Sequence, residues 1–144
     1  MMQVYERGEW LFFSPMARTK SGFWASIPPY RRLERSTPRG ELGRAVLDAL
    51  DVSVQGILDP DPLQEADEAF LRLAQAETWD EFAEGTKMIM VEWEEGMELA
   101  LVLTANEGPH RGFIEHDDLG RLSASVDDPV QVGDQLLAAL QQVR

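Results

Sequence analysis

The stretch "VYERGEWLFF", residues 4–13, decides the fold class, because it has the pattern of two short strands joined by a tight turn. β-prone residues flank Arg7-Gly8, and a glycine between two such runs is typical of a β-hairpin. Side chains alternate across a strand, so Trp10 and Phe12 should face one side of the sheet and Leu11 the other. The chain therefore begins with an antiparallel sheet that carries large apolar side chains on both faces.

Further strands are predicted by the same alternation of apolar and other residues. The segment "SPMARTKSG", residues 14–22, has the composition of a loop, and "FWASI", residues 23–27, predicts a third strand. Residues 87–105, "KMIMVEWEEGMELALVLTA", predict two strands around Glu95-Gly96. Weaker strand patterns occur in "RGFIEH" at 111–116 and "RLSASV" at 121–126.

Helical periodicity separates these strands. The helices are expected at residues 36–50, 62–75, 78–85 and 128–143. Ser36 or Thr37 can cap the first of them, and Thr78 followed by Glu81 has capping-box spacing. No regular βαβ alternation is present, so the expected class is α+β. We predict a mostly antiparallel twisted β-sheet packed by three to four helices, in a single domain over residues 1–144.

The first and last helices repeat one pattern. "ELGRAVLDAL", residues 41–50, aligns with "QVGDQLLAAL", residues 131–140, and Gly43 falls opposite Gly133. A glycine inside a helix costs about 0.5–1 kcal/mol relative to alanine. Its occurrence twice at the same place predicts that both helices approach the sheet closely. Chance similarity between two amphipathic helices is the alternative.

The charge of the chain is strongly uneven. The net charge is −13, of which residues 1–50 contribute +3, residues 51–144 contribute −16, and the segment 59–98 alone contributes −11. Such a field repels nucleic acid and attracts basic proteins, although solubility alone also explains an acidic surface. The basic segments "ARTKS" and "PPYRRLERSTPRG" favour pairing with the acidic half, or a homodimer contact, over nucleic-acid binding.

No motif of an enzyme, a cofactor site or a metal site is found. The absence of cysteine excludes disulfides, thiolate zinc sites and a thiol nucleophile. His110 and His116 are six residues apart, which is not the spacing of a zinc-binding pair on a helix. Neither a nucleophile elbow nor a glycine-rich phosphate loop occurs. We expect no catalytic residue, no cofactor and no metal.

The segment "DPDPLQEADEAF", residues 59–70, carries five carboxylates and no basic residue. It fails as a calcium loop, because Gln64 replaces the required glycine and Phe70 the bidentate glutamate. Trp93 precedes Glu94-Glu95, as an interface anchor beside charges would, although core packing is the default for each of the four tryptophans. The candidate partner-binding residues are Asp59, Asp61, Glu65, Asp67, Glu68, Glu92, Trp93, Glu94 and Glu95.

No signal-peptide pattern opens the chain, and no apolar run approaches the roughly 18 residues of a membrane span. We therefore expect a cytoplasmic protein that does not contact the membrane.

The order of several segments resembles one protein family. "RGEWLFFSPMARTKSGFWASI" leads into "ELGRAVLDAL", and "RGFIEHDD" precedes a last helix around "VGDQLLAAL". This order is similar to that of immunity proteins from bacterial contact-dependent growth inhibition systems. The resemblance implies a non-enzymatic cytosolic toxin inhibitor. Its partner would be the toxic C-terminal domain of a cell-surface effector, often a nuclease and therefore basic. A generic acidic adaptor or a carboxylate-dependent enzyme remains an alternative.

Overall fold

Nine strands and four helices are present in the part of the chain that the computed structural model describes, residues 1–53, 55–57 and 63–143. For residues 55–57 and 63–66, the backbone alone is described. The strands are β1 (Met2–Arg7), β2 (Trp10–Thr19), β3 (Trp24–Ser26), β4 (Arg31–Glu34), β5 (Gln55–Ile57), β6 (Lys87–Glu92), β7 (Leu99–Asn106), β8 (Phe113–Glu115) and β9 (Arg121–Ala124). The helices are α1 (Arg39–Asp51), α2 (Leu63–Ala74), α3 (Trp79–Ala83) and α4 (Pro129–Gln142).

The strands form one sheet in the order β3-β2-β1-β6-β7-β8, with β4 and β5 also paired to β2 and β9 also paired to β7. Only β2 with β5 is a parallel pair among the strands that the structure describes. The sheet begins with the predicted hairpin, in which Arg7 pairs with Trp10 across Gly8-Glu9. The prediction of an α+β fold with a mostly antiparallel sheet and helices packed on it is confirmed.

The predicted loop at residues 14–22 is wrong for its first half, because β2 continues to Thr19. Met16 and Ala17 pair with β3 and are buried. Their packing outweighs the loop-like local composition. Strands β4 and β5 were also missed, since both are short and β4 is mostly charged. They exist because β2 offers them a free edge to pair with.

One face of the sheet is covered by α1 and α4 over a mostly aliphatic core that includes Leu11, Ile89 and Leu101, with Phe13 as its buried aromatic residue. The two helices cross at their glycines. A Cβ on Gly43 would overlap the carbonyl group of Pro129, and a Cβ on Gly133 would overlap that of Arg39. Each glycine thus meets the first residue of the other helix. The predicted close approach is correct, but its partner is the other helix and not the sheet, because the helices pack against each other across the sheet face.

The opposite face is covered by α2 and α3 over an aromatic core built from Tyr5, Phe12, Phe70, Phe82 and Met88. The predicted cap of α3 is confirmed, since the Thr78 side chain accepts a hydrogen bond of 3.1 Å from the Glu81 N–H. The predicted caps of α1 are wrong: Pro38 is the N-cap residue, and no side chain caps this helix.

Candidate protein-binding surface

The connection between β6 and β7 is a tight turn that presents charged side chains to solvent. The Met97 N–H donates to the Glu94 carbonyl at 3.0 Å. Gly96 has φ of +82° at the third position, which is the pattern of a type II turn. Glu94, Glu95 and Glu98 are all exposed. We call residues 93–98 the tryptophan turn.

Trp93 lies at the base of this turn and is 43% exposed. Its indole N–H donates to the Met97 carbonyl at 3.0 Å, which holds the ring against the turn. Core packing, the default prediction, is therefore wrong for Trp93. Trp79 is 39% exposed, although one side of its ring packs on the aromatic core. For Trp93 the reason is the end of β6 at Glu92, which places the next residue beyond the sheet.

A groove of about 600 Å³ lies beside the tryptophan turn. Its walls include Trp93 and Met97 from the turn and Arg18 and Trp24 from the β2–β3 hairpin. Met97 is 63% exposed. The groove therefore joins two hairpin ends that are far apart in the sequence.

The basic groups around this groove differ in the hydrogen bonds that they form with the protein. Arg121 donates to Glu92 at 3.1 Å and to Glu115 at 3.0 Å, and these carboxylates raise its pKa. The amino group of Met1 donates to Ser53 Oγ at 3.1 Å, and burial lowers its pKa. Arg18 is exposed on the wall facing the turn. The groove thus has one exposed arginine and two basic groups that are held by protein oxygens.

The carboxylates of the tryptophan turn differ from Arg121 in their ion pairs. Within the described residues, no ion pair is formed by Glu94, Glu95 or Glu98. Glu92 is half-buried and bound to Arg121. The turn therefore carries three uncompensated negative charges beside an exposed indole ring.

The other predicted partner-binding residues are separate from this groove. Asp59 and Asp61 lie outside the described residues, and for Glu65 the backbone alone is described, within α2. Asp67 and Glu68 are exposed on α2 and do not line the groove. The structure thus brings Glu92, Trp93, Glu94 and Glu95 together at one turn, and the described part of α2 forms a second acidic surface.

The carboxyl group of Asp67 lies near two phenols under α2. Partial burial of this group raises its pKa, although the residue as a whole is exposed. Burial also raises the pKa of Tyr5 and of Tyr30, and the charge of Asp67 adds to both shifts. Tyr30 Oη lies 2.7 Å from Ser26 Oγ. Burial therefore makes this carboxyl harder to ionise than a fully exposed aspartate.

The two histidines lie in and next to the β7–β8 connection. His116 Nε2 lies 2.5 Å from Glu107 Oε1, and Arg111 contacts the other oxygen of the same carboxylate at 2.6 Å. His110 is exposed. Across the described ranges, no group of three or more histidine, aspartate or glutamate side chains is placed to hold a metal ion. The Glu107 contacts fasten the β7–β8 connection.

Sequence reasoning missed several residues of the groove beside the tryptophan turn, and it missed a second acidic groove entirely. Met97, Trp24 and Arg18 complete the groove, and only Met97 had a local signal, as an apolar residue inside "EEGMEL". A second groove of about 700 Å³ lies between α3 and the β7–β8 connection, lined by Asp80, Glu81 and Glu84. The sequence signal for this second groove is the density of acidic residues over 77–84, where the pattern by itself predicts only a helix.

None of the helices that the structure describes combines the length and the apolar composition needed to cross a bilayer.

Comparison with known sequences gives no relative, since neither a protein-family model nor a curated protein sequence matches the chain. Among the solved structures that share its fold are the following two. A protein of unknown function from Neisseria meningitidis has a TM-score of 0.80 at 17% identity, over 99% of this chain and 94% of that one. A chain of the CdiA-CT/CdiI toxin and immunity complex from Yersinia pseudotuberculosis has a TM-score of 0.80 at 14% identity, over 99% and 96%. The likeness at these identities is one of fold.

Proposed function

We propose that this chain is a bacterial immunity protein of a contact-dependent growth inhibition system, acting in the cytoplasm as one domain. It binds and neutralises the C-terminal toxin domain of the cognate effector and is not an enzyme. The observation that carries the proposal is the full-length likeness to a chain of a toxin and immunity complex. The segment order of the sequence supports the same family independently.

The charge of the chain supports a basic toxin as the partner. A net charge of −13 suits a basic partner, and nucleases are basic because their substrate is polyanionic. Complementary fields speed the encounter and reject wrong partners more than they add affinity. The proposed docking residues are Asp59, Asp61, Glu65, Asp67, Glu68, Glu92, Trp93, Glu94 and Glu95.

The test is co-expression of this chain with the C-terminal domain of the effector encoded directly upstream of its gene. We expect a complex that co-purifies, and rescue of cell growth from that toxin domain but not from an unrelated one. The association rate should fall steeply as salt rises, because the Debye length is only about 8 Å at physiological ionic strength. No complex and no rescue would reject the proposal.

An acidic adaptor for another basic protein is the competing function, and the exposed carboxylates of the tryptophan turn are compatible with it. The growth-rescue assay separates the two, since an adaptor would not protect a cell from the toxin. Turnover of a nucleic-acid, ester or phosphate substrate by the purified chain would instead indicate an enzyme.

A further inference from the structure

Resting on the proposed function, we infer that the toxin contact is centred on the tryptophan turn and not on α2. The basic toxin domain inserts a lysine or arginine side chain into the groove between this turn and the β2–β3 hairpin. The cation lies against the exposed face of the Trp93 ring, and Glu94 and Glu98 compensate its charge.

The first argument is the distribution of exposed apolar side chains. Two of the five large hydrophobic residues that are exposed in the described part of the chain line this groove. They are Trp93 at 43% and Met97 at 63%. Exposed apolar groups that cluster beside charges mark interaction sites, whereas single ones are ordinary.

The second argument is that the Trp93 ring is already held in place. Its N–H is satisfied by the Met97 carbonyl, and Gly96 fixes the turn that carries both residues. Binding of a partner to the ring face therefore costs little conformational entropy at the Trp93 side chain. Tryptophan is also the best acceptor for a cation above its ring.

The third argument is the local charge. Glu94, Glu95 and Glu98 form no ion pair in the described part of the chain, while Arg121 is occupied by two carboxylates. An incoming cation thus meets uncompensated charge on the side of the turn. Arg18 faces it from the other wall and can meet a carboxylate of the same partner.

The part of the α2 surface whose side chains are described, residues 67–74, lacks such an anchor. Asp67 and Glu68 are exposed, but the nearest large exposed ring, Trp79, packs on Tyr5, Phe70 and Phe82 at centroid distances of 5.4 to 6.1 Å. The described part of α2 offers charge without a protruding apolar group. It should therefore steer the encounter and add little to the final affinity.

The experiment measures binding of the catalytically inactivated toxin domain to the full chain and to matched variants. Trp93→Ala should weaken the complex at least about 30-fold, as expected for a hot-spot residue. Trp93→Phe, which keeps a ring face, should recover most of that loss. Val130→Ala removes an equally exposed side chain from α4 and should change the affinity by less than about twofold.

Two triple charge reversals compare the acidic surfaces directly, because each changes the net charge by the same amount. Glu94→Lys/Glu95→Lys/Glu98→Lys should abolish the complex. Glu65→Lys/Asp67→Lys/Glu68→Lys should slow association while leaving the dissociation rate nearly unchanged. Thermal melts of every variant check the fold, and Met97→Glu serves as a second test of the groove if Trp93→Ala is unstable.

The outcomes separate the inference from the proposed function. If the wild-type chain binds the toxin but Trp93→Ala and Met97→Glu bind equally well, the toxin docks elsewhere and the function stands. A larger effect of the α2 reversal also overturns the inference. If the wild-type chain does not bind, both fall. If the chain alone is a dimer that Trp93→Ala dissociates, the surface serves self-association and the inference is wrong.

Discussion

The two faces of the sheet are packed by different means. Over one face, α1 and α4 cross so closely that two glycines touch backbone, and the core beneath is almost wholly aliphatic. Over the other, α2 and the five-residue α3 hold aromatic rings that meet at interplanar angles from 40° to 89°. The first face depends on backbone fit, and the second depends on ring volume.

The difference also concerns charge. The helix pair α1–α4 is joined across its surface by an ion pair of 2.6 Å between Arg39 and Asp134. The exposed carboxylates of α2 and α3, among them Asp67, Glu68, Asp80 and Glu84, have no ion pair among the described residues. The comparison teaches that the exposed carboxylates of the described part of α2 and of α3 lie over the face that is packed by aromatic rings and not by close backbone contact.

Truncation of the aromatic core should have the largest effect on stability. Phe82 is fully buried and contacts four rings, at centroid distances of 5.0 to 5.5 Å. Phe82→Ala should lower the free energy of unfolding by about 3–5 kcal/mol, as measured in urea. Phe23→Ala, at a site that is 47% exposed, should stay within about 0.5 kcal/mol. A loss below about 1.5 kcal/mol for Phe82→Ala would show that this face collapses around the void.

Glycine-to-alanine substitutions at two sites of α1 test the packing of the face that α1 and α4 cover. Gly43→Ala places a methyl group on the Pro129 carbonyl, so the helices must separate. We expect a loss of about 1–3 kcal/mol. At Gly40 the added Cβ would lie 3.5 Å from Val130 Cγ2, an ordinary contact, so Gly40→Ala should be neutral or stabilising. Equal melting temperatures for the two variants would mean that the crossing relaxes freely.

Most of the strands and helices were predictable because their signals are local. The alternation around Trp10 and the spacing from Thr78 to Glu81 each act within a few residues. The length of β2 was not predictable, since its residues after Ser14 become strand by pairing with β1, β3 and β5, and these pairings are long-range or non-local features. Likewise the repeated glycines predicted a close approach, but periodicity does not say which element approaches.

The candidate site was predictable in composition and not in shape. Charge density identified the turn at Glu94-Glu95, which the structure presents to solvent. The exposure of Trp93 depends on where β6 ends, and the joining of Trp24 with Met97 depends on the curl of the whole sheet. Those are long-range properties, and a single sequence gives no measure of them.

The helix caps give a smaller and sharper contrast between the two faces. Thr78 caps α3 on the aromatic face, whereas neither Ser36 nor Thr37 caps α1. Thr78→Ala should therefore lower the free energy of unfolding by about 1 kcal/mol. Thr37→Ala should cost less than about 0.5 kcal/mol in the same urea titration. A cost at Thr37 equal to that at Thr78 would indicate that α1 is capped by a side chain after all.

The smallest expected effect is the pH dependence contributed by Asp67. Burial raises the pKa of this carboxyl in the folded chain, so the folded state holds its proton more tightly than the unfolded state does. The stability that this group contributes is therefore fully present below its ordinary pKa of 3.8, and it is lost as the pH rises through the raised folded-state value. Asp67→Asn, which cannot ionise, should be more stable than wild type at pH 7.

The size of that gain should stay below about 0.5 kcal/mol, because Asp67 is largely exposed and solvent screens its charge. Thermal unfolding of both proteins from pH 3 to pH 7 measures it. The difference must vanish near pH 3, where the aspartate is neutral like the asparagine, which makes the low-pH end an internal control. An Asp67→Asn variant that is less stable than wild type at pH 7 would mean that the charged carboxylate is stabilised on α2, and the acidic surface would then help to hold the aromatic face instead of weakening it.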